Sequence, residues 1–301
     1  MLRCSAMDTY TKTTLSLVTD EPALYGELKL HFEPKHELVW CYMAPRERAC
    51  LTPGLLMEMN SWFERLRTRQ GPDASQPIRY HVVASAVPGV YNYGGDLELF
   101  IRLVQAGDRE GLRRYAGLCN DALHYNLSRF GRDLTTIALV QGDALGGACQ
   151  VVFSHDVVVA ERGVRMGMPE TLFNLPPGLG ALPILTRKVG PAMAERMIMS
   201  GESYTAEALH EMGLVHVLAE PGEGELAVYD FIRRQRRMGV ATRALRRMQD
   251  RLHPVTREQL DAMVDVWLDA ALSLSDRDLR MIDRLNRRQK VTGEHQRQVA
   301  R

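Results

Sequence analysis

Paired cysteines are missing from this sequence. Cys4, Cys41, Cys50, Cys119 and Cys149 are odd in number and none belongs to a C-x-x-C pair, which speaks against a disulfide framework or a zinc knuckle and fits the reduced thiols of a cytoplasmic protein. The nine histidines contain no H-x-x-x-H or H-E-x-x-H, so no metal site is expected. Neither sign of charge is in excess: Lys+Arg 38 stand against Asp+Glu 37, a formal +1, which removes any whole-chain attraction for nucleic acid. Nowhere do about 18 apolar residues run together. Met1 to Ala6 is followed by polar residues instead of the apolar stretch of a signal peptide, so neither a leader nor a membrane span is expected. With 45% hydrophobic and 25% charged residues, what remains is a soluble globule of one large or two ordinary domains.

The opening is β. Residues 24–30 and 37–43 alternate or nearly alternate around a turn holding Pro34, a hairpin pattern. Thr52-Pro53 sets a helix start, with Leu55, Leu56, Met59, Trp62, Phe63 and Leu66 at helical spacing to about Arg69. A polar loop over 70–77 leads to a strand over 78–86. Helices follow at 97–106 and 111–130, then buried strands at 135–140 and 157–160 with a short helix opened by Gly146-Gly147 between them. This recurrence predicts an α/β core with mostly parallel pairing. After about Gly224 strand signals stop. Thr256 with Gln259 matches a capping box, Ser275 caps a last helix, and the polar tail from Gly293 frays. The reading divides the chain into a core over 1–222 and a helical region over 223–301.

Two glycine pairs stand between a buried strand and a helix: Tyr91-Asn92-Tyr93-Gly94-Gly95-Asp96-Leu97 and Gln141-Gly142-Asp143-Ala144-Leu145-Gly146-Gly147. Either alone is usually a tight turn. Together they offer two backbone N–H groups, which at one point would stabilise an oxygen gaining negative charge.

The order of these motifs, continued by Met166-Gly167-Met168-Pro169-Glu170 and Pro176-Pro177-Gly178-Leu179-Gly180, resembles the crotonase (enoyl-CoA hydratase/isomerase) superfamily over roughly 25–217. Tyr93-Gly94-Gly95-Asp96-Leu97-Glu98-Leu99-Phe100, Ala138-Leu139-Val140-Gln141-Gly142 and the closing Val266-Trp267-Leu268-Asp269-Ala270-Ala271 with Met281-Ile282-Asp283-Arg284-Leu285 look most like its diffusible signal factor synthase branch. The resemblance implies a crotonase-type repeated ββα spiral core, with the helical C-terminal region closing the pocket and supporting a homotrimer or hexamer. It implies Gly95 and Gly147 as the oxyanion-hole amides and Glu170 as a catalytic carboxylate. It also implies a fatty-acyl thioester substrate, with acyl carrier protein as partner or coenzyme A as the alternative. No cofactor is implied beyond coenzyme A or phosphopantetheine as the substrate's handle. The family's other glutamate falls at Gln150, where an amide orients groups but exchanges no proton at neutral pH. General acid–base assistance is typically about 10² to 10⁴-fold, so hydration should suffer while one-base isomerisation, dehydration or thioester hydrolysis stays open. A pseudoenzyme that binds acyl thioesters or a partner and regulates a related synthase is the alternative.

The remaining features have plainer readings beside the functional ones. The resemblance puts Leu175, Pro177, Leu179 and Trp267 on the acyl pocket, although an aromatic on an apolar helical stripe is usually core. Arg233, Arg234, Arg236 and Arg237, in an arginine-rich stretch that runs to Arg251, suit phosphates or an acidic carrier protein; a solvated helix face is the plainer reading. His155-Asp156 lacks a nucleophile elbow and reads as structural, and Cys149 as packing.

Overall fold

The computed structural model describes residues 25–68 and 77–289. Cys4 and the polar N-terminal stretch, Leu24, Arg69 with most of the 70–77 loop, and the tail from Gly293 lie outside the described residues. The hairpin forms between β1 (Leu28–Glu33) and β2 (Leu38–Met43), so its first strand runs three residues past the expected end. Pairing fixes this, since Leu28 faces Met43 and Glu33 faces Leu38 across a tight Pro34–His36 turn that exits through Glu37 at φ 53. Helix α1 (Pro53–Thr68) starts where Thr52 Oγ1 accepts the Leu55 N–H at 3.1 Å. Then come β3 (Tyr80–Ser85), β4 (Val90–Asn92), α2 (Leu97–Gln105), α3 (Arg109–Leu127), β5 (Thr135–Val140), β6 (Asp143–Leu145), α4 (Gly147–Ser154), β7 (Val157–Glu161) and β8 (Arg165–Gly167). The chain continues through α5 (Ala181–Val189), α6 (Pro191–Ser200), β9 (Ser203–Thr205), α7 (Ala206–Glu211) and β10 (Val217–Ala219). It closes with α8 (Gly224–Arg236), α9 (Gly239–Leu252), α10 (Arg257–Leu272) and α11 (Asp276–Gln289).

Two sheets result. The larger has the order β1-β2-β3-β5-β7-β10, parallel from β2 onward, and both its faces are covered. Val83, Ala138, Val140, Val158 and Ala160 point to the side packed by α1, α3 and α4; Val82, Ile137, Leu139, Val157 and Val159 point to α8. Burial on both faces is why these strands read as continuous apolar runs. The smaller sheet, β4-β6-β8-β9, consists of three-residue strands, parallel from β4 to β8. No periodicity shows in three residues, and the sequence reading missed all four. This is the α/β architecture expected above, with a helical C-terminal region in which α10 packs on α3 and α11 on α2. The capping box of Thr256 and Gln259 forms as expected. No described helix is long and apolar enough to cross a membrane.

Candidate active site

The small sheet gathers the chemistry. β4, β6 and β8 are parallel neighbours, and each ends a few residues before one of the groups singled out above: Gly95 after β4, Gly147 after β6, Glu170 after β8. Ligands of parallel sheets bind beyond the carboxyl ends of the strands. There Gly95, Gly147 and Glu170 line one cavity of about 70 Å³, with Leu97, Leu145, Phe173 and Leu285 among its apolar walls.

The first glycine of each pair makes the turn and the second presents its N–H. Gly94 sits at φ +81, and a Cβ there would lie 2.6 Å from Leu145 O and 2.7 Å from Gly147 N, so only glycine lets the two turns meet. Gly146 takes φ +57 and ψ −130, and a Cβ there would sit 3.0 Å from Glu170 Oε1. Asn92 Oδ1 accepts the Gly94 N–H at 2.8 Å, and Leu51 N–H donates to Gly94 O at 2.7 Å. The Tyr115 hydroxyl bridges Asp96 N–H and Leu51 O, at 2.8 and 2.7 Å. Gly146 N–H donates to Gly167 O at 2.8 Å, tying the second pair to β8. Among the described residues the N–H groups of Gly95 and Gly147 have no acceptor of their own. They stand close together, since a Cβ on Gly147 would be 3.4 Å from Gly95 N.

Glu170 enters through Pro169 in a single 3-10 turn, Pro169–Phe173, behind buried Met168. Its Oε2 is shut off from solvent and has no hydrogen-bond partner. An unpaired carboxylate in such a place is costly, and burial pushes its pKa up from 4.5 to about 7. A group poised there takes up and returns a proton with equal ease near neutrality.

Other expected site residues lie elsewhere. Gln150 is buried on α4, one turn beyond Gly147, and its amide is not among the cavity walls and makes no hydrogen bond among the described residues. Leu175 and Trp267 pack in a filled apolar cluster with Phe100, Val264 and Leu268, and Leu179 and the buried Pro177 likewise do not border the cavity. Trp267 meets Phe100 at a tilt of 48° with ring centroids 5.6 Å apart, and closes against Gly178, where a Cβ would come within 2.9 Å of its Nε1. Leu175, Leu179 and Trp267 are packed among the apolar side chains of α2, α3, α10 and α11. The arginines lie away from this cavity as well. α8 covers the face of the large sheet opposite α4, so Arg233, Arg234, Arg236 and Arg237 sit across the sheet from the cavity. Arg233 pairs with Asp230 and Arg236 with Glu37. His155 and Asp156 face apart: the imidazole Nδ1 bonds Val151 O, and the carboxylate pairs with Arg129. Cys149 Sγ donates to the carbonyls of Ala144 and Gly167.

Several residues on the cavity were not among the expected site residues, and one of them is a buried amide. Gln289, the last of α11, is 1% exposed and borders it beside Leu285.

Comparison with known proteins bears on this arrangement. The enoyl-CoA hydratase/isomerase family model matches residues 42–269. The chain belongs to that family. It is 43% identical over 89 residues to the 2,3-dehydroadipyl-CoA hydratase of Escherichia coli, covering 30% of this chain and 34% of that protein. The chain spans about a third to a half of the length of the curated relatives it matches. In fold it is similar to human mitochondrial delta3-delta2-enoyl-CoA isomerase, with a TM-score of 0.71 at 16% identity over 87% of this chain and 98% of that one. It is also similar to Pseudomonas aeruginosa DspI, with a TM-score of 0.64 at 24% identity over 81% and 94%.

Proposed function

We propose that this member of the enoyl-CoA hydratase/isomerase family acts on a fatty-acyl thioester through an enolate or tetrahedral oxyanion, with Gly95 and Gly147 as the oxygen's two donors and Glu170 as the sole carboxylate base. The observation that carries this is that those three groups, which follow β4, β6 and β8, line one cavity, the carboxylate with an unpartnered oxygen and the two amides without acceptors among the described residues. In the isomerase form of the reaction, the Glu170 carboxylate removes a proton from the carbon beside the thioester carbonyl. The electron pair moves onto the carbonyl oxygen, held by the two N–H groups, and the same proton returns to the far carbon as the double bond shifts. Each well-aimed donor of this kind is worth about 3 kcal/mol to the transition state.

Gln150, an amide at the position of the family's other glutamate, fits a one-base reaction such as isomerisation or thioester release better than hydration. The branch resemblance favours a carrier-protein thioester over coenzyme A, and a trimer or hexamer in the cytoplasm. A protein that binds such thioesters without turning them over is the second reading, favoured by Gln150 at the position of the family's other glutamate. One assay separates them. Enoyl and 3-hydroxyacyl thioesters on both carriers are incubated with the protein and products followed by mass spectrometry. Turnover that vanishes in Glu170→Ala supports the enzyme; binding with no turnover supports the second reading. Gln150→Glu should raise hydration, and a folded variant that hydrates no faster removes Gln150 from the argument.

A further inference from the structure

The Gly94–Gly95 peptide, which carries the first donor N–H, is flanked by two residues without side chains and is itself held only at its carbonyl, by Leu51 N–H. Its direction therefore rests on the peptides on either side. One side chain, 194 residues away in sequence, holds both. Gln289 Nε2 donates to Tyr93 O at 3.2 Å and to Gly95 O at 2.8 Å, while its Oε1 accepts from Leu97 N–H at 3.3 Å. The Tyr93–Gly94 peptide is thus fixed at its carbonyl by Gln289 and at its N–H by Asn92, and the Gly95–Asp96 peptide by Gln289 and by Tyr115. A buried glutamine is tolerated only when its amide is satisfied, and here these three bonds go to backbone around one donor. α11, which delivers Gln289, is seated by Leu279 and Ile282 in the cluster holding Phe100 of α2 and Phe173 of the Glu170 turn. It spans both halves of the site.

We infer that Gln289 is a positioning residue for the oxyanion hole: docking of α11 clamps the Tyr93–Leu97 loop through one side-chain amide and so aims the Gly95 N–H at the thioester oxygen. The inference rests on the proposed acyl-thioester reading. Misplacing a reacting group by about 1 Å costs on the order of a hundredfold, so loss of the brace should lower kcat roughly ten- to a hundredfold and leave KM nearly unchanged.

The test reads the carbonyl itself. Crotonyl-CoA labelled with 13C at the thioester carbonyl is bound at saturation to the full chain in the Glu170→Gln background, which keeps the probe unreacted, and its C=O stretch is followed by difference vibrational spectroscopy. The stretch should lie below its position in water, and adding Gln289→Ala or the similarly shaped Gln289→Glu, whose carboxylate cannot donate to two carbonyls, should return it at least halfway. Ile282→Val, which loosens α11 packing but keeps the amide, should retain the lowered stretch even as melting temperature falls; a purely structural role for Gln289 would treat all three alike. A stretch that stays lowered in both Gln289 variants overturns this inference alone. A stretch that is never lowered in the Glu170→Gln chain overturns the proposed function, and this inference with it.

Discussion

Replacing Glu170 by glutamine should raise stability relative to wild type progressively as the pH rises. Burial raises the folded-state pKa from 4.5 to about 7, so between these values the native chain holds a proton that the unfolded chain has released. Stability contributed by that proton is fully present below about 4.5 and is lost as the pH climbs through 7. By pH 8 the wild-type chain carries a carboxylate whose site disfavours it by about 3 kcal/mol, at ~1.4 kcal/mol per tenfold in proton affinity. At pH 5 the same linkage leaves a penalty under about 1 kcal/mol. Glutamine keeps the shape and does not titrate. Whatever constant gain or loss the amide brings, the stability difference between Glu170→Gln and wild type should therefore grow by about 2 kcal/mol from pH 5 to pH 8.

Urea denaturation of both proteins at the two pH values, at fixed ionic strength, measures this directly, with m expected to be unchanged. A difference that changes by less than about 0.5 kcal/mol between pH 5 and pH 8 would refute the claim that Glu170 is a desolvated, unpartnered carboxylate. The same variant should lose turnover by about 10² or more, as a lost general base does. Wild-type rates should fall as the pH drops below about 7, where the base becomes protonated.

Three further outcomes follow from the geometry. Gly94→Ala puts a methyl 2.6 Å from Leu145 O at φ +81, so it should destabilise by about 2 kcal/mol or more and abolish turnover, checked by thermal melts and the thioester assay. Burial pushes the thiols of Cys41, Cys50 and Cys119 up to about 12, and that of Cys149 further with the Glu170 carboxylate near it; native titration of a Cys4→Ser variant with a chromogenic disulfide should label none of the four until denaturant is added. Arg233→Glu with Arg237→Glu should leave kcat and KM for acyl-CoA within about twofold, because α8 lies across the large sheet from the cavity and surface charges are screened over about 10 Å; a tenfold rise in KM would return these arginines to the binding surface.

β3, β5 and β7 of the large sheet were legible in the sequence because they are buried and their apolar, β-branched runs announce themselves, whereas the three-residue β10 at the edge was not. Turn chemistry was legible too: Thr52-Pro53, the Thr256 and Gln259 box and both glycine pairs act where the reading put them. The space around the site was not. Whether Trp267 bounds a pocket or fills a core depends on how close α10 comes to Gly178, and a stripe of apolar residues is the same in either case. Likewise the arginines of α8 are as basic on one side of the sheet as on the other, and only topology assigns the side.

What brings the site together is also what left least trace. Asn92, Leu145 and Gly167 each end a three-residue strand or stand next to its end, and a three-residue strand is too short to show alternation. Yet pairing of β4 with β6 and β6 with β8 carries Gly95, Gly147 and Glu170 from positions 75 residues apart in the chain into one row. The signal open to a reader was the repeated sequel to each strand: a few residues, then glycine or proline, then a group with an unmet hydrogen bond. Gln289 had no such signal, because a glutamine near the end of a charged helix declares nothing about the loop it will meet. Its role follows from tertiary packing alone. A clamp of this kind lies outside the strand-turn-helix pattern that marks the family, so a chain can keep every motif residue and still lose its aim at the substrate by a change at the far end of α11.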